Sequence, residues 1–296
     1  DINGVHYINS DVNIPTWNVV VFNRNVLPKD FIEYNKTIGA KIVWWLHDIV
    51  DLRYLEDDAY THVDHIVALS EYCKKTFSDF YSIDTNKFSV IPNGVDKTIF
   101  YPGKYEDRNS NLYVMASALI KGFIPIETMY NNLQRVLPNL DFRIYSSQAL
   151  HSLVNSPVQD GFLNYMRDRG AQVYYPVSQP VLAGILRKAW CLVMPNSYPE
   201  ICSNLILQAR ASGCPIVSTD IGANPEFIEE GVSGLLTNKF KPHDNYSWIV
   251  EFARKACKLA VDTKLHSFIS TQAPKGILSW EDVGGKWDEL INRIVG

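Results

Sequence analysis

At 296 residues the chain is roughly twice the usual length of a single domain, so two domains are expected, each large enough for its own core. A formal net charge of -4 excludes a general attraction to nucleic acid, and no apolar run is long enough to cross a bilayer; association with a membrane surface stays open, but nothing in the composition indicates it. Five cysteines, an odd count without a CxxC pair, argue against a disulfide framework or a zinc site and fit a reducing, cytoplasmic compartment.

Residues 1–10 are polar and lack the basic-then-apolar pattern of a signal peptide. Sequons at Asn35 and Asn245 carry no meaning in a cytosolic protein. Short β-branched runs at 18–22, 41–46, 65–70 and 88–91 predict strands, and the stretches 28–37 and 71–81 predict helical connections between them. That alternation is the rhythm of a parallel α/β sheet. A polar stretch with Pro and Gly at 92–111 predicts the link to a second series. Its strands are expected at 111–116, 142–147, 172–175, 190–194 and 215–219, with helices at 125–137, 161–169, 181–189 and 204–211. The tail, 244–261 and 280–295, predicts two or more further helices. The domains expected are 1–98, 99–278 and a last helix, 279–296, packing back on the first domain.

The chemistry concentrates in residues 195–226, a strand end, a polar loop, a helix, a strand and a second glycine-containing loop. Ligands of open parallel sheets bind outside the carboxyl ends of strands, so Glu200, Ser203 and Asn204 would share a crevice with the loop from Gly222 to Glu226. Ser203 or Asn204 is a plausible N-cap, and the free N–H groups of the next turn suit a phosphate. Geometry alone favours the plainer reading, a capped helix that binds nothing, since most capped helices have no ligand.

Specificity comes from a resemblance. The spacing from Glu200 to Gln208, followed by Ala209, Ala211, Gly213 and PIVST at 215–219, is similar to the signature of the family 4 retaining glycosyltransferases. The similarity extends to SALIKG at 117–122, GANPE at 222–226, IPNGVD at 91–96, WWLHD at 44–48 and VALS at 67–70. It implies the GT-B fold: α/β, with two Rossmann-like domains facing a cleft. The N-terminal domain looks short or truncated, because the strand, glycine loop and helix that usually precede the region resembling 1–10 are not found.

The resemblance further implies a nucleotide-diphosphate sugar as donor substrate, UDP- or GDP-linked, a carbohydrate or glycoconjugate acceptor, and neither cofactor nor metal. Glu200 would contact the donor sugar near its reacting carbon, His47 would position that sugar from the opposite wall, and Lys121 would hold the diphosphate with Ser203, Asn204, Leu205, Gly222 and Ala223. Glu226 would frame the site, with a loop-capping role the alternative. Two positions depart from the pattern. Gln208 replaces the second acidic residue, which contacts the ribose, and keeps a hydrogen bond without charge assistance. Ser117 stands where a phosphate-binding Arg is expected, leaving Arg143 or another cation to substitute. A non-catalytic nucleotide-sugar-binding protein is the main alternative; a dinucleotide-dependent oxidoreductase lacks its GxGxxG, and a sugar-nucleotide epimerase matches fewer motifs.

Overall fold

The computed structural model describes residues 18–24, 29–50, 58–146, 156–237 and 246–296. Residues 1–10, Pro28, Ser147, Asp244 and the sequon at Asn245 lie outside them. The first lobe runs β1 (Val19–Asn23), α1 (Lys29–Thr37), β2 (Lys41–Trp45), β3 (His65–Ala68), α2 (Glu71–Tyr81) and β4 (Phe88–Val90), a parallel sheet in the order β1-β2-β3-β4. Its central strands are buried because helices cover one face and a later helix covers the other, so Ile42, Val43, Trp44, Ile66, Val67 and Ala68 are all fully enclosed. Ser70 starts α2 by accepting a hydrogen bond from the Cys73 amide, and Ser82 ends it in the left-handed region, φ 54°.

The second lobe runs β5 (Asn109–Met115), α3 (Ile126–Val136), β6 (Asp141–Tyr145), α4 (Pro157–Asp168), β7 (Gln172–Tyr174), α5 (Gln179–Lys188), β8 (Ala189–Met194), α6 (Asn204–Ala211), β9 (Ile216–Ser218), α7 (Asn224–Phe227) and β10 (Leu235–Leu236). Three helices close the chain: α8 (Ser247–Val261), α9 (Thr263–Gln272) and α10 (Trp280–Val295). The sheet is parallel in the order β10-β9-β8-β5-β6-β7. Strand order therefore reverses between β5 and β8, and a crevice opens beyond their carboxyl ends.

Boundaries predicted from the sequence hold to within a few residues. The helix α4 starts four residues earlier than predicted, at Pro157, because Ser156 and Gln159 form a reciprocal capping box. The tail holds a third helix, α9, started by the Asp262 carboxylate on the Leu265 amide. Asn35 is 2% exposed and its amide donates to the Phe31 carbonyl at 2.7 Å, so this sequon is closed inside α1. All five cysteines are free thiols, four of them buried, and burial pushes Cys73 and Cys202 up to about 12.

The helix α10 crosses back to the first lobe. Its Val283 and Leu290 pack with Val43, Val67 and Ile91, Trp287 meets Trp45 edge-on at 5.0 Å, and Arg293 donates to Ser89 at 2.9 Å. The chain enters this contact through Val95, whose amide donates to the Leu278 carbonyl, beside Gly94, where a Cβ would stand 2.8 Å from Ser279 backbone atoms. No larger residue fits at Gly94 without moving the backbone of the turn before α10.

One buried histidine makes stability depend on pH. His266 is 0% exposed, stacked on Trp190 at 3.5 Å, with Nε2 2.8 Å from the Trp190 carbonyl and Nδ1 3.1 Å from the Tyr105 hydroxyl. Burial, with Arg108 adding to it, drives its pKa from 6.5 to about 4 against the opposing pull of the Trp190 carbonyl. The folded value lies below the unfolded one, so the unfolded chain binds the extra proton and stability falls as pH falls from 6.5 to 4. The loss over that window is about 3 kcal/mol, and it is absent above it. Thermal denaturation of His266→Gln, referred to its own value at pH 7, is expected to lack this share of the acid sensitivity; an unchanged pH profile would assign the sensitivity elsewhere.

Candidate functional site

A cleft of about 690 Å³ lies between the lobes at the switch point of the second sheet. Each wall is built from loops that follow strands. After β5 the chain makes a 3-10 turn, Leu119–Lys121, and Lys121 reaches across to Glu200, Nζ to Oε1 2.7 Å. Glu200 follows β8, and its side chain is only 12% exposed against 29% for the lysine. The two loops are docked on one another, because Ser197 and Tyr198 both donate their amides to the Lys121 carbonyl, at 2.7 and 3.2 Å.

Glu200 is fixed from the other side as well. The Ala223 amide donates to its carbonyl at 2.7 Å, and at Gly222, φ 58°, a Cβ would lie 2.5 Å from that same carbonyl oxygen. Gly222 and Ala223 thus carry the Glu200 loop by backbone contact and do not line the cleft. Ser203, Asn204 and Leu205 line it at the start of α6. Ser203 is the N-cap residue by position without a side-chain cap bond, and the Asn204 carboxamide oxygen accepts from Asn93 of the IPNGVD hinge at 2.9 Å. Among the described residues no side chain caps the first amides of α6.

Ser117 lines the cleft, with its hydroxyl buried and without a hydrogen-bond partner among the described residues. Ser146, at the end of β6, is in the same condition at 6% exposure. A buried hydroxyl left unpaired costs about 1–3 kcal/mol.

On the opposite wall His47 sits at the end of β2, its ring 4.4 Å from Trp45, with Nε2 buried and unpartnered. Burial lowers its pKa, Arg24 lowers it further and Asp48 works against both, so the ring is neutral at pH 7. Asp48, the next residue, faces Arg24, Nε to Oδ2 3.8 Å.

Besides Gly222 and Ala223, three more predicted residues stand elsewhere. Gln208 is half-buried further along α6 and outside the cleft lining. Arg143 does not replace the missing arginine; it is held in a two-point pair by Asp141, two residues away on the same strand face, at 2.9 and 2.6 Å. Glu226 is turned away from the cleft and takes the Glu71 and Tyr72 amides of α2 in the first lobe, at 2.7 and 2.6 Å. The second cation at the cleft is instead Arg24, which the sequence did not single out. Its backbone is left-handed, φ 68°, pinned where its amide donates to the Trp45 carbonyl and its carbonyl accepts from the Trp44 indole. Tyr198, also missed, lies near Glu200 and near Asp48 and Tyr72 of the first lobe; burial first, then those groups, push its hydroxyl pKa up.

Among the described residues no group of three or more His, Cys, Asp or Glu side chains is placed to hold a metal ion, and no helix is long and apolar enough to cross a membrane.

Comparison with known proteins places this architecture. The chain is 25% identical over 248 residues to an uncharacterized glycosyltransferase of Methanocaldococcus jannaschii, covering 84% of this chain and 65% of that one. It is 29% identical over 174 residues to the D-inositol 3-phosphate glycosyltransferase of an Arthrobacter species, covering 55% and 41%. The chain thus spans about two thirds or less of the length of these relatives. The crystal structure of Anabaena Alr3699/HepE in complex with UDP-glucose superposes with a TM-score of 0.70 at 16% identity, over 92% of this chain and 78% of that one. At that identity the likeness establishes the fold, two parallel-sheet α/β domains of the GT-B type. The family model Glycosyltransferase Family 4 matches residues 19–98 and the model Glycosyl transferases group 1 matches residues 126–260, so each lobe, in order, matches a glycosyltransferase family model.

Proposed function

We propose that the chain transfers a sugar, with retention of anomeric configuration, from a nucleotide-diphosphate sugar to an acceptor hydroxyl, without cofactor or metal. The observation that carries this is the Lys121–Glu200 pair beside the uncapped start of α6, at the switch point of the sheet. The diphosphate would sit on the first amides of α6, where the helix end carries partial positive charge. Lys121 has three N–H donors and bridges Glu200 and a phosphate oxygen at once. Glu200 would take the donor sugar's hydroxyls, and neutral His47 would orient the sugar from the facing wall. The bond from the anomeric carbon to the diphosphate oxygen breaks, the acceptor oxygen bonds to that carbon on the same face, and the departing oxygen takes the acceptor's proton. The protein positions the partners and stabilises the charge that develops on the leaving group.

The donor is UDP- or GDP-linked, as the family resemblance implies. The acceptor is a carbohydrate or glycoconjugate, and the free thiols fit the cytoplasm. A second reading, binding without turnover, is favoured by Ser117, whose orphaned hydroxyl offers the phosphates no charge. Thermal denaturation with a panel of nucleoside diphosphates is the test, combined with assay of free nucleotide released from the matching sugar donor. One member at about 100 times its dissociation constant should stabilise the fold by about 2.7 kcal/mol, and release should follow with the sugar donor. Stabilisation without release at any acceptor supports the second reading, and no stabilisation by any member removes both.

A further inference from the structure

Glu226 was expected at the donor, and the structure gives it a different partner. The first three amides of α2 have no intrahelical acceptor. Ser70 takes that of Cys73, while those of Glu71 and Tyr72 go to the two carboxylate oxygens of Glu226, at 2.7 and 2.6 Å and more than 150 residues away in the chain. A carboxylate at a helix start is favoured by both the hydrogen bonds and the helix dipole. Glu226 belongs to α7, which follows directly on Gly222 and Ala223, and those two residues grip the backbone of Glu200. One short stretch, 222–226, therefore holds Glu200 of the second lobe with its first residues and the first lobe with its last.

We propose that Glu226 is a positioning residue that clamps the two lobes, setting the distance between the wall that carries His47 and the wall that carries Glu200 and Lys121. The clamp rests on the proposed reaction only for its effect on turnover. The contact itself is exposed at the lobe boundary, so removing the carboxylate leaves both cores intact.

Hydrogen exchange tests the contact without any substrate. In Glu226→Ala the Glu71 and Tyr72 amides should exchange at least about tenfold faster than in the parent, while the Cys73 amide, held by Ser70, keeps its rate. Glu226→Gln, which retains one acceptor oxygen, should fall between. With a turned-over donor, kcat/KM should drop about tenfold in Glu226→Ala while the dissociation constant of the nucleoside diphosphate changes less than about threefold, because that ligand is held by the second lobe. Unchanged exchange at Glu71 and Tyr72 overturns the clamp. Faster exchange with unchanged kcat/KM overturns the positioning role. If the parent turns over no donor, the proposed reaction fails, and the clamp stands or falls on the exchange rates and on whether solution scattering shows Glu226→Ala more extended than the parent.

Discussion

Lys121→Ala is expected to lower sugar transfer by about a hundred- to a thousandfold, the scale of losing one preorganised donor at a developing anion. In the proposed reaction the lysine would meet the diphosphate beside α6, and neither Ser117 nor Arg143 stands ready to replace it, the first being neutral and the second engaged by Asp141. The substitution also leaves Glu200, 12% exposed, without its partner, which costs about 1–3 kcal/mol of stability and repels the phosphate. Nucleotide affinity should therefore fall together with turnover. Glu200→Ala separates the two effects. It releases the ammonium from its counter-charge, so the nucleoside diphosphate should bind as well as before or better, while turnover falls because the sugar has lost its anchor. The double variant should lose less than the sum of the single losses, since each change already disrupts the same pair. Binding measured by calorimetry beside single-turnover rates checks all three. Near-parental turnover in both single variants would remove the site from this cleft.

What the sequence made legible and what it did not divides along range. The helices α2, α6 and α10 are predicted at their observed bounds because their starts are written locally: Ser70 before α2, Ser203 before α6, Ser279 with Asp282 before α10. The switch point is legible from the order of strands and loops, and with it the meeting of Glu200, Ser203 and Asn204. Arg24 is not, because its place in the cleft depends on a left-handed backbone fixed by Trp44 and Trp45, some twenty residues on. Glu226 is not either, because its partners are amides of the other lobe, and no spacing within the GANPE run encodes them. Arg143 is the instructive failure. Asp141 lies two residues before it, and residues two apart on a strand share a face, so the pairing that occupies Arg143 is legible in the sequence itself.

Gly122→Ala should be the most damaging alanine substitution among the described glycines. Gly122 has φ 137° and ψ 139°, a region that side chains other than glycine's hardly enter, and a Cβ there would lie 2.2 Å from the Pro195 carbonyl oxygen and 2.7 Å from the Ser197 amide. Both neighbours are backbone, so neither rotates out of the way. The loop after β5 would have to part from the loop after β8, breaking the bonds from Ser197 and Tyr198 to the Lys121 carbonyl and drawing Lys121 from Glu200. Backbone strain and overpacking together should destabilise the chain by about 3 kcal/mol or more and abolish nucleotide binding. Gly161 supplies the comparison. It lies inside α4 with nothing within 4 Å of the place a Cβ would take, so Gly161→Ala should be neutral or stabilise by up to about 1 kcal/mol. Denaturant titration of the two variants separates a general cost of added volume from the docking of these two loops. A Gly122→Ala protein with parental stability and nucleotide affinity would mean that Lys121 is placed by its pairing with Glu200 alone, and that the turn beneath it is free to shift.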